Sequence, residues 1–355
     1  MSVFDHPEFD DHESVHFFAD AATGLRAIVA VHSTTLGPGA GGCRRWEYSA
    51  TEDAVTDVLR LSRGMSYKNA VAGLTFGGGK SVILAAPDAP KSPELFRAFG
   101  RAIDSLGGRY VTAEDVGIAV EDMRTVREVT PYVTGVSDTG HGGDPSPFTA
   151  LGVYLGLQAA VRERLNVDTV AGLTVAVQGV GHVGLNLCRL LHEAGAKLVI
   201  ADVNPAYIDA AIDEFGPTVV APEAILSTDC DVLAPCALGN ILNSETIPQL
   251  RATVVAGAAN NQLGVDSDGD SLRERGILYA PDYVINAGGI VAVAREYLGQ
   301  ADDDAIRKEI DGIATRLTTL FRNSASFGTS TNRLADELAR SLIRSNGNDD
   351  TRLTA

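Results

Sequence analysis

Residues 25–32 are mostly apolar and read as a strand, with Leu25, Ala27, Val29 and Val31 on one face. The period then changes. Ser49 and Glu52 form a capping box for a helix to about Arg63, with Val55, Val58, Leu59 and Ser62 facing inward. Ser92 and Pro93 supply the N-cap and first position of another helix, whose inner face carries Phe96, Phe99 and Ile103. Residues 110–116 read as a short strand that ends near Asp115. The pattern breaks over residues 134–149, a stretch rich in Gly, Pro, Ser and Asp, and a domain boundary is expected there. A helix from about Thr149 to Leu165 opens a more regular series. Strands are expected at 173–178, 197–201, 231–234 and 253–256, with a helix after the first that turns Val183, Leu187, Leu190 and Leu191 inward. Helices follow from Asn286 to Leu298, over 302–322, and from a Thr331 cap with Leu334, Leu338 and Leu342 on one stripe.

This order predicts an α/β protein of two domains. Residues 1–140 are expected to form an N-terminal α/β domain and residues 141–329 a Rossmann domain. Residues 346–355 are a polar, frayed tail. The length of 355 residues fits two domains, and 45% apolar content allows large cores. A net charge of −17 opposes nucleic-acid and anionic-membrane partners. Cys43, Cys188, Cys230 and Cys236 form no C-x-x-C pair and no zinc spacing with the histidines, so a reduced, cytoplasmic protein without a metal site is expected. Asp266, Asp268 and Asp270 hint at a calcium loop, but Ser271 and Ile277 stand where its Gly and Glu belong. Neither a signal-peptide pattern nor an 18-residue apolar run occurs.

The chemistry concentrates in two stretches. Gly179, Val180, Gly181, His182, Val183 and Gly184 make a G-x-G-x-x-G turn between the strand at 173–178 and its helix, and Asp202 ends the next strand. Those glycines let a pyrophosphate reach the helix N-terminus, where free N–H groups and the dipole favour an anion. Asp202 can accept both ribose hydroxyls and would repel a 2′-phosphate, so NAD is expected over NADP. His182 reads as a turn residue. Ligands in open α/β sheets sit at the carboxyl ends of strands, which places Cys236, Ala237, Asn260 and Asn261 there.

The other stretch, residues 60–83, holds Lys68 and Lys80 among Gly64, Gly73, Gly77, Gly78 and Gly79. Two readings stand. Either both lysines are solvated and the glycines are turns, or the lysines lie close together and partly desolvated. In the second case one loses proton affinity and becomes a base, while the other holds a carboxylate. A P-loop is excluded, because Leu74 occupies its first glycine position. Residues 36–44, L-G-P-G-A-G-G-C-R, are either a plain loop or a close backbone approach to a ligand or strand.

With these stretches read, the chain resembles the Glu/Leu/Phe/Val dehydrogenase family of amino-acid dehydrogenases, and within it the leucine dehydrogenases. T-T-L-G-P-G-A-G-G-C-R, L-S-R-G-M-S-Y-K-N-A, G-G-G-K, T-A-E-D-V-G, D-P-S-P-F-T-A, Q-G-V-G-H-V-G, G-A-A-N-N-Q-L and Y-A-P-D-Y-V-I-N-A-G-G carry the likeness. The resemblance implies reversible, NAD-dependent oxidative deamination of an L-amino acid to a 2-oxo acid and ammonia. It implies that Lys68 holds the substrate carboxylate, Lys80 activates water, and Asp115 exchanges protons with the amino group. Gly42 and Asn261 help seat the substrate and nicotinamide. Thr149, the 179–184 turn, Asp202, Cys236 and Ala237 line the cofactor. Ala40, Met65, Ala113, Thr134, Ile290 and Val293 surround the substrate side chain. Ala113 with Val293 points to leucine, valine or isoleucine, whereas Ala40 leaves room for phenylalanine. Ala40 and the loop at 137–144 depart from the leucine pattern. The resemblance also implies that the first domain serves substrate and catalysis, that a cleft lies between it and the Rossmann domain, that a helix over 330–345 returns to the first domain, and that the protein is a homo-oligomer, dimer or octamer. A non-catalytic NAD-binding paralogue is the remote alternative, set against by the presence of both Lys80 and Asp115.

Overall fold

In the computed structural model, which describes residues 2–85, 90–136, 144–237 and 239–347, the strand β2 (Leu25–Ser33) is buried on both faces rather than one. Its position explains this. β1 (Ser14–Asp20) pairs antiparallel with one edge of β2, and β5 (Gly77–Leu84) pairs antiparallel with the other. β3 (Gly39–Ala40) and β4 (Cys43–Trp46) run parallel to β5, and β6 (Tyr110–Val111) runs parallel to β3. Helix α1 (Thr51–Ala72) covers one face of this sheet, where Val58 and Leu59 meet Ile28, Ala30 and Val82. α2 (Pro93–Asp104) and α3 (Val120–Arg127) cover the other, with Phe96, Phe99, Met123 and Val126 over Leu25, Ala27, Val29 and Val31. A strand with helices on both faces has no polar side to keep.

Two expectations for this region are corrected. The cap of α1 is Ala50, whose N–H is taken by the Asp53 carboxylate at 3.1 Å, not Ser49 with Glu52. The helix also passes Arg63 and Gly64 and ends at Gly73, in the left-handed region with φ 77°. One internal glycine costs a helix about 1 kcal/mol, and close packing on β5 offsets it. A Cβ on Gly78 would lie 2.1 Å from the Ser66 nitrogen. The glycines before Lys80 are therefore a strand against which a helix lies, not turns. The stretch 36–44 likewise approaches strand rather than solvent, since a Cβ on Gly41 would lie 2.0 Å from the Gly79 carbonyl oxygen.

Two histidines sit beneath α1. His12 Nε2 lies 3.0 Å from Ser62 Oγ and from the Leu59 carbonyl, and His32 Nδ1 lies 2.7 Å from Ser66 Oγ. Burial, reinforced by His12 and Arg63 and opposed by Asp10, pulls His32 down from 6.5 to about 4. His12 is also lowered, first by burial. The unfolded chain then binds more protons than the native chain below pH 6.5, so stability falls on acidification from there towards pH 4. Thermal melts should show a Tm that drops from pH 7 to pH 5, corresponding to a loss on the order of 2 kcal/mol. His32→Gln should flatten that dependence, and equal slopes in both proteins would refute it.

The second unit contains a six-stranded parallel sheet built from β7 (Thr174–Gln178), β8 (Lys197–Ala201), β9 (Thr218–Val219), β10 (Val232–Pro235), β11 (Val254–Val255) and β12 (Leu278–Tyr279). The order is β12-β11-β10-β7-β8-β9, so counting from β7 it reads 3-2-1-4-5-6, the dinucleotide-binding order. Its direction reverses between β7 and β10. α4 (Ser146–Leu165), α5 (His182–Glu193), α6 (Pro205–Phe215), α7 (Ser267–Glu274), α8 (Asp282–Ile285), α9 (Gly288–Tyr297), α10 (Asp303–Phe327) and α11 (Thr331–Gly347) complete the chain.

By contacts, Met1–Asp144, Val293–Ala301 and Ala339–Ala355 make one unit, and Pro145–Ala292 with Asp302–Leu338 the other. The expected boundary at 140 and most of the 137–144 loop lie outside the described residues, as does the tail from 348 onward. Thr331 is the first residue of α11 rather than its cap, because its hydroxyl donates to the Tyr279 carbonyl at 2.7 Å. The stripe of that helix is also shifted. Ala335 and Ala339 are buried, while Leu334, Leu338 and Leu342 are half-buried.

Candidate active site

Lys80 lies in the middle of β5, opposite Ala30 of β2, and is only 4% exposed. A lysine buried that deeply needs a partner. Its Nζ donates to Asp115 Oδ2. Asp115 follows β6, where the backbone of Glu114 bridges to Cys43 at the start of β4. The other carboxylate oxygen, Oδ1, accepts the Val116 N–H at 2.6 Å and lies 3.6 Å from Arg44 Nε. Burial pushes Asp115 upward, but the charges of Lys80 and Arg44 and the bonds from Lys80 and Val116 outweigh it and hold Asp115 below the usual carboxylate range. Asp115 and Lys80 belong to the same unit, and the two form an ion pair.

Lys68 occupies α1 and is half-buried. At Gly42 a Cβ would lie 2.4 Å from the Glu114 carbonyl oxygen, and Cys43 N–H donates to the Ala113 carbonyl at 2.8 Å. The 36–44 segment is thereby pressed against the segment that carries Asp115. Of the side-chain-recognition candidates, Ala40, Met65, Ala113, Thr134 and Val293 all fall in the first unit, and Ile290 falls in the second. Met65 Cγ would be 3.0 Å from a Cβ on Gly41, and Thr134 Oγ1 donates to the Val293 carbonyl at 3.2 Å. Ala40 is buried with Phe76 and Ala294, against Leu74 and Tyr297. The Phe76 and Tyr297 rings meet edge to face at 5.7 Å. The sequence reading missed these backing residues. A signal existed, since Tyr297 is four residues after Val293 on the same helical face.

In the second unit Gly179 has φ +89°, a conformation that favours glycine. A Cβ on Gly184 would lie 2.0 Å from the Gly179 carbonyl oxygen, so the helix packs tightly on the turn. Around Gly181 the nearest atom to a Cβ is on Tyr207 at 3.8 Å, which leaves open space at the N-terminus of α5. Asp202 Oδ2 accepts the Val180 N–H at 2.7 Å and Oδ1 the Asn204 N–H at 2.8 Å, which fixes the carboxylate beside the turn. His182 is exposed and Val183 half-buried. Ala237 packs on Gly179, where its Cβ would be 2.6 Å from an added Cβ. The neighbouring Cys236 donates its N–H to the Gln178 carbonyl at 2.7 Å, and burial pushes its thiol up to about 12, which removes it as a nucleophile. Asn260 Oδ1 accepts Asn286 Nδ2 at 2.8 Å, and the Asn261 carbonyl accepts Asn240 N–H at 2.7 Å. Thr149, in the first turn of α4, donates to the Pro145 carbonyl at 3.1 Å. Turn, open space and fixed carboxylate fit an adenine dinucleotide.

Residues 12–132 match the family profile described as Glu/Leu/Phe/Val dehydrogenase, dimerisation domain. Residues 144–211 and 206–335 match Glutamate/Leucine/Phenylalanine/Valine dehydrogenase. The chain belongs to this family of amino-acid dehydrogenases. Leucine dehydrogenase of Bacillus subtilis (strain 168) is 50% identical over 344 residues, covering 97% of this chain and 94% of that one. Phenylalanine dehydrogenase of Bacillus thermotolerans is 42% identical over 346 residues, 96% of this chain and 90% of that one. The crystal structure of L-tryptophan dehydrogenase from Nostoc punctiforme superposes with a TM-score of 0.83 at 44% identity, covering 95% of this chain and 97% of that one. This member of the family is most like the leucine dehydrogenases. No helix among the described residues is long and apolar enough to cross a membrane.

Proposed function

We propose that this dehydrogenase oxidatively deaminates leucine, valine and isoleucine, reversibly, with NAD as its cofactor. The observation that carries the reading is the buried Lys80–Asp115 pair, in a unit whose recognition positions Ala40, Met65, Ala113, Thr134 and Val293 bear no charge. In the overall reaction an L-amino acid, NAD⁺ and water give a 2-oxo acid, ammonium, NADH and a proton. NAD, when bound, supplies the acceptor for the hydride on the substrate α-carbon.

The chain's own groups do the rest. Lys68 holds the α-carboxylate, which does not react. Asp115 takes a proton from the substrate ammonium, so that the nitrogen lone pair can form an iminium as hydride departs. Lys80, released from Asp115 and having given its ammonium proton to solvent, takes a proton from the water that adds to the iminium carbon. Asp115 then returns its proton to the nitrogen, and as ammonia leaves the carboxylate accepts the carbinol hydroxyl proton and hands it to the ammonia. Gly42 and Asn261 seat the substrate and nicotinamide, and Ile290 completes the side-chain set. Asp202 meets the adenosine ribose, and the turn 179–184, Thr149, Cys236, Ala237 and Asn260 line the cofactor. A match to a dimerisation-domain profile supports a homo-oligomer. The four free cysteines support a reducing, cytoplasmic setting.

A second reading, phenylalanine as the preferred substrate, is favoured by the small Ala40. It is opposed by the Phe76, Ala294, Leu74 and Tyr297 cluster, which closes around Ala40. NADH formation across a panel of L-amino acids decides between them. Leucine, valine and isoleucine should give the highest kcat/KM, with methionine and phenylalanine lower, and phenylalanine above leucine would overturn the ranking. The same assay should favour NAD over NADP by about tenfold or more, the equivalent of ~1.4 kcal/mol. Asp202→Ala should narrow that gap. Equal use of both cofactors by the wild type would remove the role of Asp202.

A further inference from the structure

Arg44 has no part in the chemistry above, yet it stands at the back of Asp115. Its Nε is buried and makes no hydrogen bond among the described residues, and Asp115 Oδ1 lies 3.6 Å away. The other end of the guanidinium is braced. Nη1 reaches both oxygens of Asp57, on α1, at 3.3 Å. The Tyr48 hydroxyl donates to Asp57 Oδ2 at 2.6 Å. Arg44 itself is on β4, in register with Val82 of β5, two positions beyond Lys80. A line of charges thus runs from α1 through Arg44 to Asp115 and on to Lys80.

The two oxygens of Asp115 are held differently. Oδ2 has Lys80, which must let go if it is to act on water. Oδ1 has the Val116 N–H and the facing Arg44 Nε, neither of which has any step to perform. A carboxylate that lost Lys80 and had nothing behind it could rotate about its side-chain bonds. Fixed partners at Oδ1 keep Oδ2 pointing where the ammonium of Lys80 had been.

We propose that Arg44 is the positioning residue of Asp115: braced by Asp57 and Tyr48, its guanidinium pins Oδ1 and leaves Oδ2 as the oxygen that exchanges protons with the substrate nitrogen. This rests on the catalytic reading of Asp115 given above. One proton passes from the substrate ammonium to Oδ2 and the same oxygen returns one to the departing nitrogen, so Asp115 ends as it began. Arginine suits the task because its planar fork reaches two carboxylates at once, which a lysine ammonium does less well.

The test is a kinetic cycle on the full-length enzyme with Arg44→Ala, Arg44→Lys, Asp115→Asn and the double variant Arg44→Ala/Asp115→Asn. Arg44→Ala should lower kcat by roughly 10- to 100-fold, the range of a misaligned proton-transfer group. KM for the amino acid and NADH binding, followed by fluorescence, should stay within about twofold. Added guanidinium ion should restore part of the lost kcat, and Arg44→Lys should fall between wild type and Arg44→Ala. In the Asp115→Asn background, Arg44→Ala should change kcat by less than about twofold, since its target is gone. Near-wild-type kcat in Asp115→Asn would overturn the catalytic reading itself. A crippled Asp115→Asn with a fully additive Arg44→Ala, or wild-type kcat in both Arg44 variants, would overturn the role of Arg44 alone. Should Arg44→Ala fail to fold, Arg44→Lys and Asp57→Asn carry the same comparison against Asp115→Asn.

Discussion

Lys80→Ala should lower kcat by at least ~100-fold, the usual range for loss of a general base, while NADH still binds. Water adds to an iminium only as it loses a proton, and Lys80 is the buried nitrogen that meets Asp115. The residues proposed to hold the cofactor belong to the other unit, so their affinity has no reason to follow. Removing Lys80 also strips Asp115 of its nearest cation and leaves Arg44 and the Val116 N–H to hold the carboxylate. Lys68→Ala should instead act mainly on KM, because the carboxylate proposed to sit on it is the same in ground and transition states. Steady-state kinetics with a fluorescence titration of NADH separate the two. A Lys80→Ala enzyme with near-full kcat would exclude the residue as the base.

The second unit was legible in the sequence because its signals are local. The strand at 197–201 and the turn at 179–184 stand where expected, since a βα turn that must pass through φ +89° leaves a glycine behind to mark it. β9 and β12 were not read, as each has two residues and owes its pairing to a neighbour rather than to its own pattern. In the first unit the difficulty was opposite in kind. Three consecutive glycines disfavour a strand on propensity, yet Gly77–Gly79 are the start of β5, because only bare backbone fits beneath α1 and beside β3. Tertiary packing overrode the local preference there, and it also carried α1 past Gly64. Lys80 and Asp115 were each singled out, but their contact spans 35 residues and depends on that sheet register, which no spacing rule contains. Arg44 was missed for the same reason. It was read as the end of a glycine-rich motif, and its value lies in what β4 places around it.

Glutamate should be the poorest of the similarly sized amino acids in the panel, with kcat/KM below that for leucine by about 10³-fold or more. The positions proposed to recognise the side chain in the first unit offer its carboxylate no cation. Ala40 is closed in by Phe76, Ala294, Leu74 and Tyr297, Thr134 spends its hydroxyl on the Val293 carbonyl, and Met65 and Ala113 have nothing ionic to give. Burying a carboxylate without a partner costs several kcal/mol even after relaxation, and every ~1.4 kcal/mol is a factor of ten. An apolar pocket discriminates far more gently among apolar side chains, at ~1–3 kcal/mol per methylene, so leucine, methionine and phenylalanine should form a graded series with glutamate far below it. Ala40→Lys tests the cause directly. It should raise kcat/KM for glutamate relative to leucine, since the new ammonium would meet the carboxylate where an alanine methyl now stands. A wild-type enzyme that turns over glutamate within tenfold of leucine would mean that a cation from elsewhere reaches the pocket, and the apolar assignment of these five positions would fall with it.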